Sequence, residues 1–276
     1  MEKAMSFASV NGIQLFYKTY GNLENPPLLL NTGLSGYHAD WWAQVPAFED
    51  DFYVITFDNR SAGQSTYPEP GYTMADMADD VAGLLDYLQI ESAFVFGISM
   101  GGMMAQNLAL RHPHKIRKLA LGCTNAGSVN QKMADADVIA DLMDTSSTGD
   151  VRQDILNGAW TLLADGALEA KPIIMEKWIE VSTGNLQTEA AYMAQMQAIA
   201  THDVFAKLAT IQIPTLVLHG EDDVLVPSEN GRMIADQIPN AKLKLYPNTG
   251  HMFFWEAHDE VNADLRTFFL GDNEPV

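Results

Sequence analysis

A buried strand that passes into a helix through a glycine-flanked serine constrains the fold of this chain more than any other feature. Residues 94–104 read FVFGISMGGMM, so an apolar run ends in the pattern G-x-S-x-G over residues 97–101, and a helix-forming segment, 102–111, follows. In this setting the pattern predicts a tight, strained turn that exposes the hydroxyl of Ser99. The two glycines leave room for the turn and for close packing of strand and helix. The helix start directs backbone N–H groups toward whatever the hydroxyl attacks.

Strand and helix patterns alternate along most of the chain, which predicts an α/β fold with a mostly parallel sheet and helices on both faces. Asn11-Gly12 is expected to form the turn of an N-terminal hairpin. The strands are expected at residues 8–10, 13–20, 27–31, 53–57, 93–96, 118–122, 215–219 and 242–246. The helices are expected at residues 39–48, 73–88, 102–111, 229–237 and 259–269, with Thr73 as the N-cap of the second.

The segment from about residue 127 to residue 210 breaks this alternation. It reads as helices at 131–143, 151–164, 171–181 and 188–200, which predicts a helical insertion between the sixth and seventh strands. We expect a core domain of residues 1–127 and 211–276, and a helical cap of residues 128–210 that covers the serine. The cap's large side chains either form its own core or line an apolar pocket. They are Met133, Met143, Met175, Met193, Met196, Trp160 and Trp178.

Composition excludes several classes of protein. The net charge of −20 argues against nucleic acid and anionic membrane surfaces as partners, because phosphate groups would be repelled. No run of eighteen apolar residues is present, and the first ten residues lack the basic and apolar regions of a secretory signal. The single cysteine, Cys123, is expected in a buried strand and suits a reducing compartment, so we expect a cytoplasmic location.

A serine hydroxyl needs a base and a group that orients the base. His251 is the candidate base, because it follows the last strand in the loop PNTGH, at the same sheet edge as Ser99. Among the other histidines, His219 is expected to be structural, and surface positions are expected for His38, His112 and His114. We do not expect His202 to touch substrate. The acid is expected after strand 215–219, where Glu221, Asp222 and Asp223 are all possible by position.

The order serine, acid, histidine resembles that of the α/β-hydrolase family, and the resemblance covers nearly the whole chain. It implies an eight-stranded α/β-hydrolase sheet. The family's acid loop, G-x-x-D-x-x-x-P, places the acid at Asp223, with Asp222 as the main competitor. Residues 57–65, FDNRSAGQS, resemble the family's D-x-R-G-x-G-x-S segment, and Asp58 and Arg60 there are expected to stabilise loops. With GISMGGMMAQNLALRHP and LGCTNAG, these motifs resemble most the branch of 3-oxoadipate enol-lactonases and small carboxylesterases.

Two backbone N–H groups are expected to bind the negative charge that develops on a substrate carbonyl oxygen. The geometry of the turn assigns one to Met100, directly after Ser99. The resemblance assigns the other to Leu34, in the loop at residues 32–36, TGLSG. Ser35 either adds a side-chain donor or serves the turn.

The resemblance and the three side chains predict a serine hydrolase that cleaves esters or lactones of small, fairly hydrophobic substrates through an acyl-enzyme. Ser99 is the expected nucleophile, His251 the base and Asp223 the orienting acid. The alternatives on the same residues are a carbon–carbon bond hydrolase, an aminopeptidase and a perhydrolase, and a non-catalytic ligand receptor is an alternative of another class. No metal or organic cofactor is expected, since the sequence carries no H-E-x-x-H pattern, clustered Cys/His or phosphate-binding glycine loop.

Overall fold

The computed structural model describes residues 6–127, 131–185 and 187–271. Within them eight strands form one sheet in the order β1-β2-β4-β3-β5-β6-β7-β8. Their bounds are β1 Ser6–Val10, β2 Ile13–Tyr20, β3 Pro27–Asn31, β4 Tyr53–Phe57, β5 Ala93–Ile98, β6 Ile116–Gly122, β7 Thr215–Gly220 and β8 Lys242–Tyr246. Strand β2 pairs antiparallel with β1 and β4, and the remaining neighbours are parallel. The expected eight-stranded, mostly parallel sheet is confirmed.

The hairpin between β1 and β2 turns at the expected residues. Asn11 and Gly12 have φ values of 45° and 79°, both in the left-handed region. A two-residue turn with positive φ at both positions matches the twist of the strands it joins, which explains the Asn-Gly sequence.

Helices cover both faces of this sheet, as expected. They are α1 Gln44–Phe48, α2 Met74–Tyr87, α3 Met100–Arg111, α4 Ala136–Met143, α5 Val151–Leu162, α6 Ala167–Ala170, α7 Pro172–Gly184, α8 Glu189–Ala200, α9 Glu229–Gln237, α10 Phe253–Glu256 and α11 His258–Leu270. Successive strand side chains point to opposite faces. Leu29 of β3 accordingly packs in one apolar cluster with Val81 of α2, whereas Leu28 and Leu30 pack in a second cluster with Leu265 of α11.

The predicted helix at 39–48 is interrupted. A 3₁₀ helix spans His38–Trp41, and α1 begins only at Gln44. Pro46 explains the break, because proline lacks an N–H and its ring clashes with the carbonyl four residues earlier inside a helix. Starting α1 at Gln44 leaves Pro46 in the first turn, where no such bond is needed.

Helices α4 to α8 lie between β6 and β7, so the helical insertion occurs where the sequence predicts it. The first cap helix is shorter than expected, starting at Ala136 instead of residue 131. The backbone N–H and carbonyl of Lys132 instead bond the side chain of Asn230, both at 2.9 Å, which removes them from helical pairing. The predicted core and cap include residues 1–5, 128–130, 186 and 272–276, which lie outside the described residues, so the domain limits stay a proposal.

The expectation that His38 lies on the surface is wrong. His38 is buried, and its backbone N–H and its Nδ1 lie 2.9 and 2.6 Å from Oδ1 of the fully buried Asp58. Asp58 also accepts a bond from the backbone N–H of Gln64 at 2.8 Å. A buried carboxylate needs such donors, so His38 is held inside by Asp58 and not by an apolar preference of its own. These bonds agree with a loop-stabilising role for Asp58.

Cys123 is fully buried, as expected, although it lies one residue beyond the end of β6. None of the described helices combines the length and the apolar character that crossing a bilayer requires.

Arg60 links the segment after β4 to helix α2 through a buried ion pair. Its Nε and Nη2 donate to the two carboxylate oxygens of Asp80 at 2.6 and 2.7 Å. Arg60 is 8% exposed and Asp80 2% exposed, so water does not screen the pair. Removing one partner would leave the other charge buried without compensation.

Asp80→Ala is therefore expected to lower the free energy of unfolding by about 3–5 kcal/mol. Asp79→Ala is the matched control, because Asp79 is the neighbouring residue of α2 and pairs with Arg111 at the surface at 2.6 Å. Its loss is expected to cost at most about 1 kcal/mol. Urea unfolding of both variants measures the difference, and equal losses would contradict the importance of the buried pair.

Candidate active site

The turn that carries Ser99 joins β5 to α3 in a strained conformation. Ser99 has φ 52° and ψ −121°, a combination that non-glycine residues rarely adopt. A Cβ at Gly97 would lie 2.4 Å from the carbonyl oxygen of Gly101, and one at Gly101 would lie 2.3 Å from that of Asn31. Both positions therefore require glycine, and the expected tight turn is present.

Asp223 and His251 are brought together at the carboxyl edge of the sheet. Nδ1 of His251 lies 2.8 Å from Oδ2 of Asp223, and the two residues are 6% and 4% exposed. An ionised carboxylate only accepts hydrogen bonds, so Nδ1 carries the proton and Nε2 of the neutral ring is left to accept one. Glu221 and Asp222 are exposed. The structure thus distinguishes Asp223 from the neighbouring acids.

Several donors keep Asp223 ionised. Its Oδ1 accepts the backbone N–H groups of Leu225 and Val226 at 3.0 and 2.8 Å, and Nε2 of the buried His219 lies 3.2 Å from its Oδ2. Burial alone would raise the pKa of Asp223, but His251 and His219 together hold that pKa below its ordinary value. His219 Nε2 also donates to the carbonyl of Val226 at 2.7 Å, which agrees with a structural role in this loop.

Ser99 and His251 line one cavity of about 850 Å³. The cap covers it with mainly apolar side chains. The cap's large residues lie in three environments: the cavity wall, the interior of the cap and the surface. Met133, Met196 and Trp178 line the cavity. Met175 is buried, whereas Met143, Met193 and Trp160 are more than one-third exposed. Some of these side chains therefore line the pocket and one is buried, but neither expected role describes all of them.

The loop after β3 lies directly against Ser99. A Cβ at Gly33 would be 3.1 Å from Cβ and 3.6 Å from Oγ of Ser99. Leu34 lines the cavity beside them, and Met100 is the first residue of α3, where backbone N–H groups have no partner within the helix. Leu34 thus follows the residue that packs against Ser99, and Met100 follows Ser99 itself at the start of α3.

The histidines differ from expectation in part. His202 lines the cavity and is 8% exposed, and burial lowers its pKa to about 4 despite the opposing charge of Asp203. His114 is exposed as expected. His112 is half-buried, with Nε2 2.7 Å from Asp79.

Two carboxyl groups of the site escaped sequence analysis. Glu256 accepts the backbone N–H of Gly250 at 2.8 Å and that of Ala164 at 3.0 Å, so it ties the loop of His251 to the cap. Asp40 lines the cavity, and its Oδ2 accepts the backbone N–H of Tyr37 at 2.8 Å. Glu256 could have been found from the sequence, because it follows the candidate base by five residues. No sequence pattern distinguishes Asp40 from other acids. Within the described ranges no cluster of three or more His, Cys, Asp or Glu side chains is arranged to hold a metal ion.

Comparison with known proteins places this arrangement in a family. The family model of the alpha/beta hydrolase fold matches residues 26–156 and 183–258. The chain is 30% identical over 285 residues to a protein of Caulobacter sp. (strain K31), and the match covers 97% of this chain and 99% of that protein. The name of that protein is a provisional one, carbamate hydrolase RutD. It is 29% identical to 3-oxoadipate enol-lactonase 2 of Acinetobacter baylyi (strain ATCC 33305 / BD413 / ADP1), with coverages of 84% and 85%.

A solved structure agrees with the sequence comparison. The crystal structure of the enol-lactonase from Burkholderia xenovorans LB400 superposes with a TM-score of 0.84 at 26% identity, over 96% of this chain and 99% of that one. The resemblance inferred from the motifs around Asp58 and Ser99 is confirmed.

The environment of Asp40 predicts a pH dependence of stability. Burial, with a further contribution from Asp58, raises the pKa of Asp40 from 3.8 to about 7, although the Tyr37 N–H opposes the change. Between pH 4 and 7 the folded protein therefore retains a proton that the unfolded chain releases, so stability falls as pH rises through this window. Asn at position 40 has no proton to lose.

We therefore compare the unfolding free energy of Asp40→Asn with that of wild type at two pH values. The difference is expected to shift by about 2 kcal/mol in favour of the variant when the pH is raised from 5.5 to 8.5. Urea unfolding at both pH values measures this, with the exposed Asp50→Asn as the control that leaves the difference unchanged. A gap between Asp40→Asn and wild type that is the same at both pH values would refute the raised pKa.

Proposed function

The chain belongs to the α/β-hydrolase fold family, and from that premise we propose that it is a serine hydrolase that cleaves carboxylic esters or lactones of small, fairly hydrophobic substrates. The observation that carries the proposal is the His251–Asp223 pair at 2.8 Å, which opens onto the same cavity as the strained Ser99. Acyl transfer requires a serine hydroxyl and a histidine that a carboxylate orients, and here the serine and the histidine line one cavity.

In the proposed reaction Ser99 Oγ attacks the substrate carbonyl while Nε2 of His251 takes the hydroxyl proton. Asp223 stabilises the imidazolium that forms, because its carboxylate remains ionised. The N–H groups of Leu34 and Met100 bind the negative oxygen of the tetrahedral intermediate. His251 then gives the proton to the leaving alcohol, and an acyl-Ser99 ester remains. Water, deprotonated by His251, attacks that ester and releases the acid and free Ser99.

The cavity supports the proposed substrate class. Its volume of about 850 Å³ suits a small molecule, and the side chains that the cap contributes are mainly apolar. The names of the relatives include a lactonase and a provisional carbamate hydrolase, and both reactions transfer an acyl group. A cytoplasmic location, expected from the single cysteine, stays a prediction.

Ser99→Ala is expected to lower the hydrolysis of short p-nitrophenyl esters by about 10³-fold or more, since no nucleophile remains. Ser146→Ala changes an exposed serine of the cap and is expected to retain wild-type turnover. Mass spectrometry after treatment with a fluorophosphonate is expected to locate the covalent adduct on Ser99. Near wild-type turnover in Ser99→Ala would disprove the nucleophile.

Asp223→Asn is expected to lower kcat by about 10⁴-fold, because an amide cannot hold the ring in the required tautomer or stabilise its cation. Asp222→Asn is the matched control, as it alters the adjacent, exposed acid. Steady-state kinetics on both variants decide between the two carboxyl groups, and a larger loss in Asp222→Asn would reverse the assignment.

One panel of substrates separates the alternatives. Esters, lactones, carbamates, β-diketones and aminoacyl amides are compared by kcat/KM, and peracid formation is measured with hydrogen peroxide. Highest kcat/KM for esters or lactones is the expected result. No turnover of any of these substrates, together with no labelling of Ser99, would favour a non-catalytic ligand receptor.

A further inference from the structure

Ser35 is the strained residue of the loop that approaches Ser99. It has φ 63°, in the left-handed region that favours glycine. The loop turns there through a hydrogen bond from the N–H of Gly36 to the carbonyl of Gly33 at 3.2 Å. A non-glycine residue keeps such a conformation only where its surroundings hold it.

Gln195 of α8 supplies part of what holds Ser35. Its Oε1 accepts the backbone N–H of Ser35 at 3.0 Å, and its Nε2 donates to the carbonyl of Arg60 at 2.9 Å. The amide orientation follows from these partners, because a backbone N–H only donates and a carbonyl only accepts. Gln195 is fully buried and does not line the cavity, so it contacts the loop from the protein interior.

Asn185 holds the other side of the same residue. Its Nδ2 donates to the carbonyl of Ser35 at 2.9 Å and lies 3.2 Å from its Oγ. The amide and the carbonyl of Ser35 are therefore both bonded by side chains from the cap, more than a hundred positions away in sequence. These bonds to its backbone support a turn role for Ser35.

We propose that Gln195 is a positioning residue that holds the Leu34–Ser35 peptide so that the N–H of Leu34 faces the substrate oxygen. The inference rests on the proposed function. Leu34 and Ser35 share a peptide bond, so rotation of the Ser35 N–H away from Gln195 also moves the backbone of Leu34. The cap then has two functions, since α8 covers the cavity and also maintains the oxyanion-binding loop beneath it.

The proposal predicts a specific kinetic signature. Gln195→Met keeps the length of the side chain but removes its hydrogen bonds to Ser35, to Arg60 and to Nε2 of Gln187. It is expected to lower kcat about 10- to 100-fold while KM changes less than about 2-fold, because only the charged transition state depends on the loop. Gln197→Met, on the exposed side of the same helix, is the matched control and is expected to keep wild-type values.

A boronic acid distinguishes positioning from loss of fold. Its boron accepts an electron pair from Ser99 Oγ, and the proton goes to His251, so the adduct is a tetrahedral anion like the reaction intermediate. Its Ki is expected to weaken in Gln195→Met by about the same factor as kcat. Fluorophosphonate titration counts the folded, reactive sites, and kcat is expressed per titrated site.

Asn185→Ala keeps the proposal testable where Gln195→Met does not fold, and it is expected to lower kcat per site and boronate affinity together. Wild-type kcat and Ki in the folded Gln195→Met, or a rise in KM alone, would overturn the proposal. A wild-type protein that neither hydrolyses esters nor reacts with the fluorophosphonate would instead refute the proposed function, and the inference with it.

Discussion

The close approach of the Ser99 turn to the end of β3 is the constraint on which the rest of the site depends. Gly97 of β5 pairs with Asn31 of β3, so these two parallel strands end side by side at the carboxyl edge of the sheet. The turn can pack there only because Gly101 leaves space for the carbonyl of Asn31. Any side chain at that position would push α3 away, and the loop after β3 would no longer lie against Ser99. The geometry of a candidate oxyanion site is thus a consequence of backbone packing.

Buried charge organises the other half of the site. Asp223 is surrounded by two backbone N–H groups and two histidine rings, which compensate for its burial and keep it ionised. Its partner His251 lies in a loop that Glu256 ties to the cap through the N–H of Gly250 and of Ala164. Asp58 satisfies its own burial through His38 in the same way. In each case a carboxylate removed from water fixes the loops that supply its donors.

The cap is joined to the carboxyl edge of the sheet by polar bonds as well as apolar contacts. Gln195 and Asn185 bond the backbone of Ser35, and Gln187 donates to the carbonyl of Ser61 at 2.6 Å. These amides reach the loops after β3 and β4, and the loop after β3 lines the cavity. Movement of the insertion away from the sheet would break the hydrogen bonds that Gln195 and Asn185 make to the loop next to Ser99.

By itself, the sequence determined the sheet, most of its helices, the turn at Ser99 and the order of the candidate triad, because these follow from local patterns: alternation, glycine spacing, and residues placed just after strands. Only the tertiary structure showed that Asp223 is buried against His251 while Asp222 is exposed, that His38 is buried, that Asp40 lines the cavity, and that Gln195 bonds Ser35. Each of these outcomes depends on burial or on a partner distant along the chain, as with Gln195 and Ser35, 160 positions apart. A hydrogen bond between such residues leaves no periodic trace in a single sequence, since it exists only once the strands and the cap have packed.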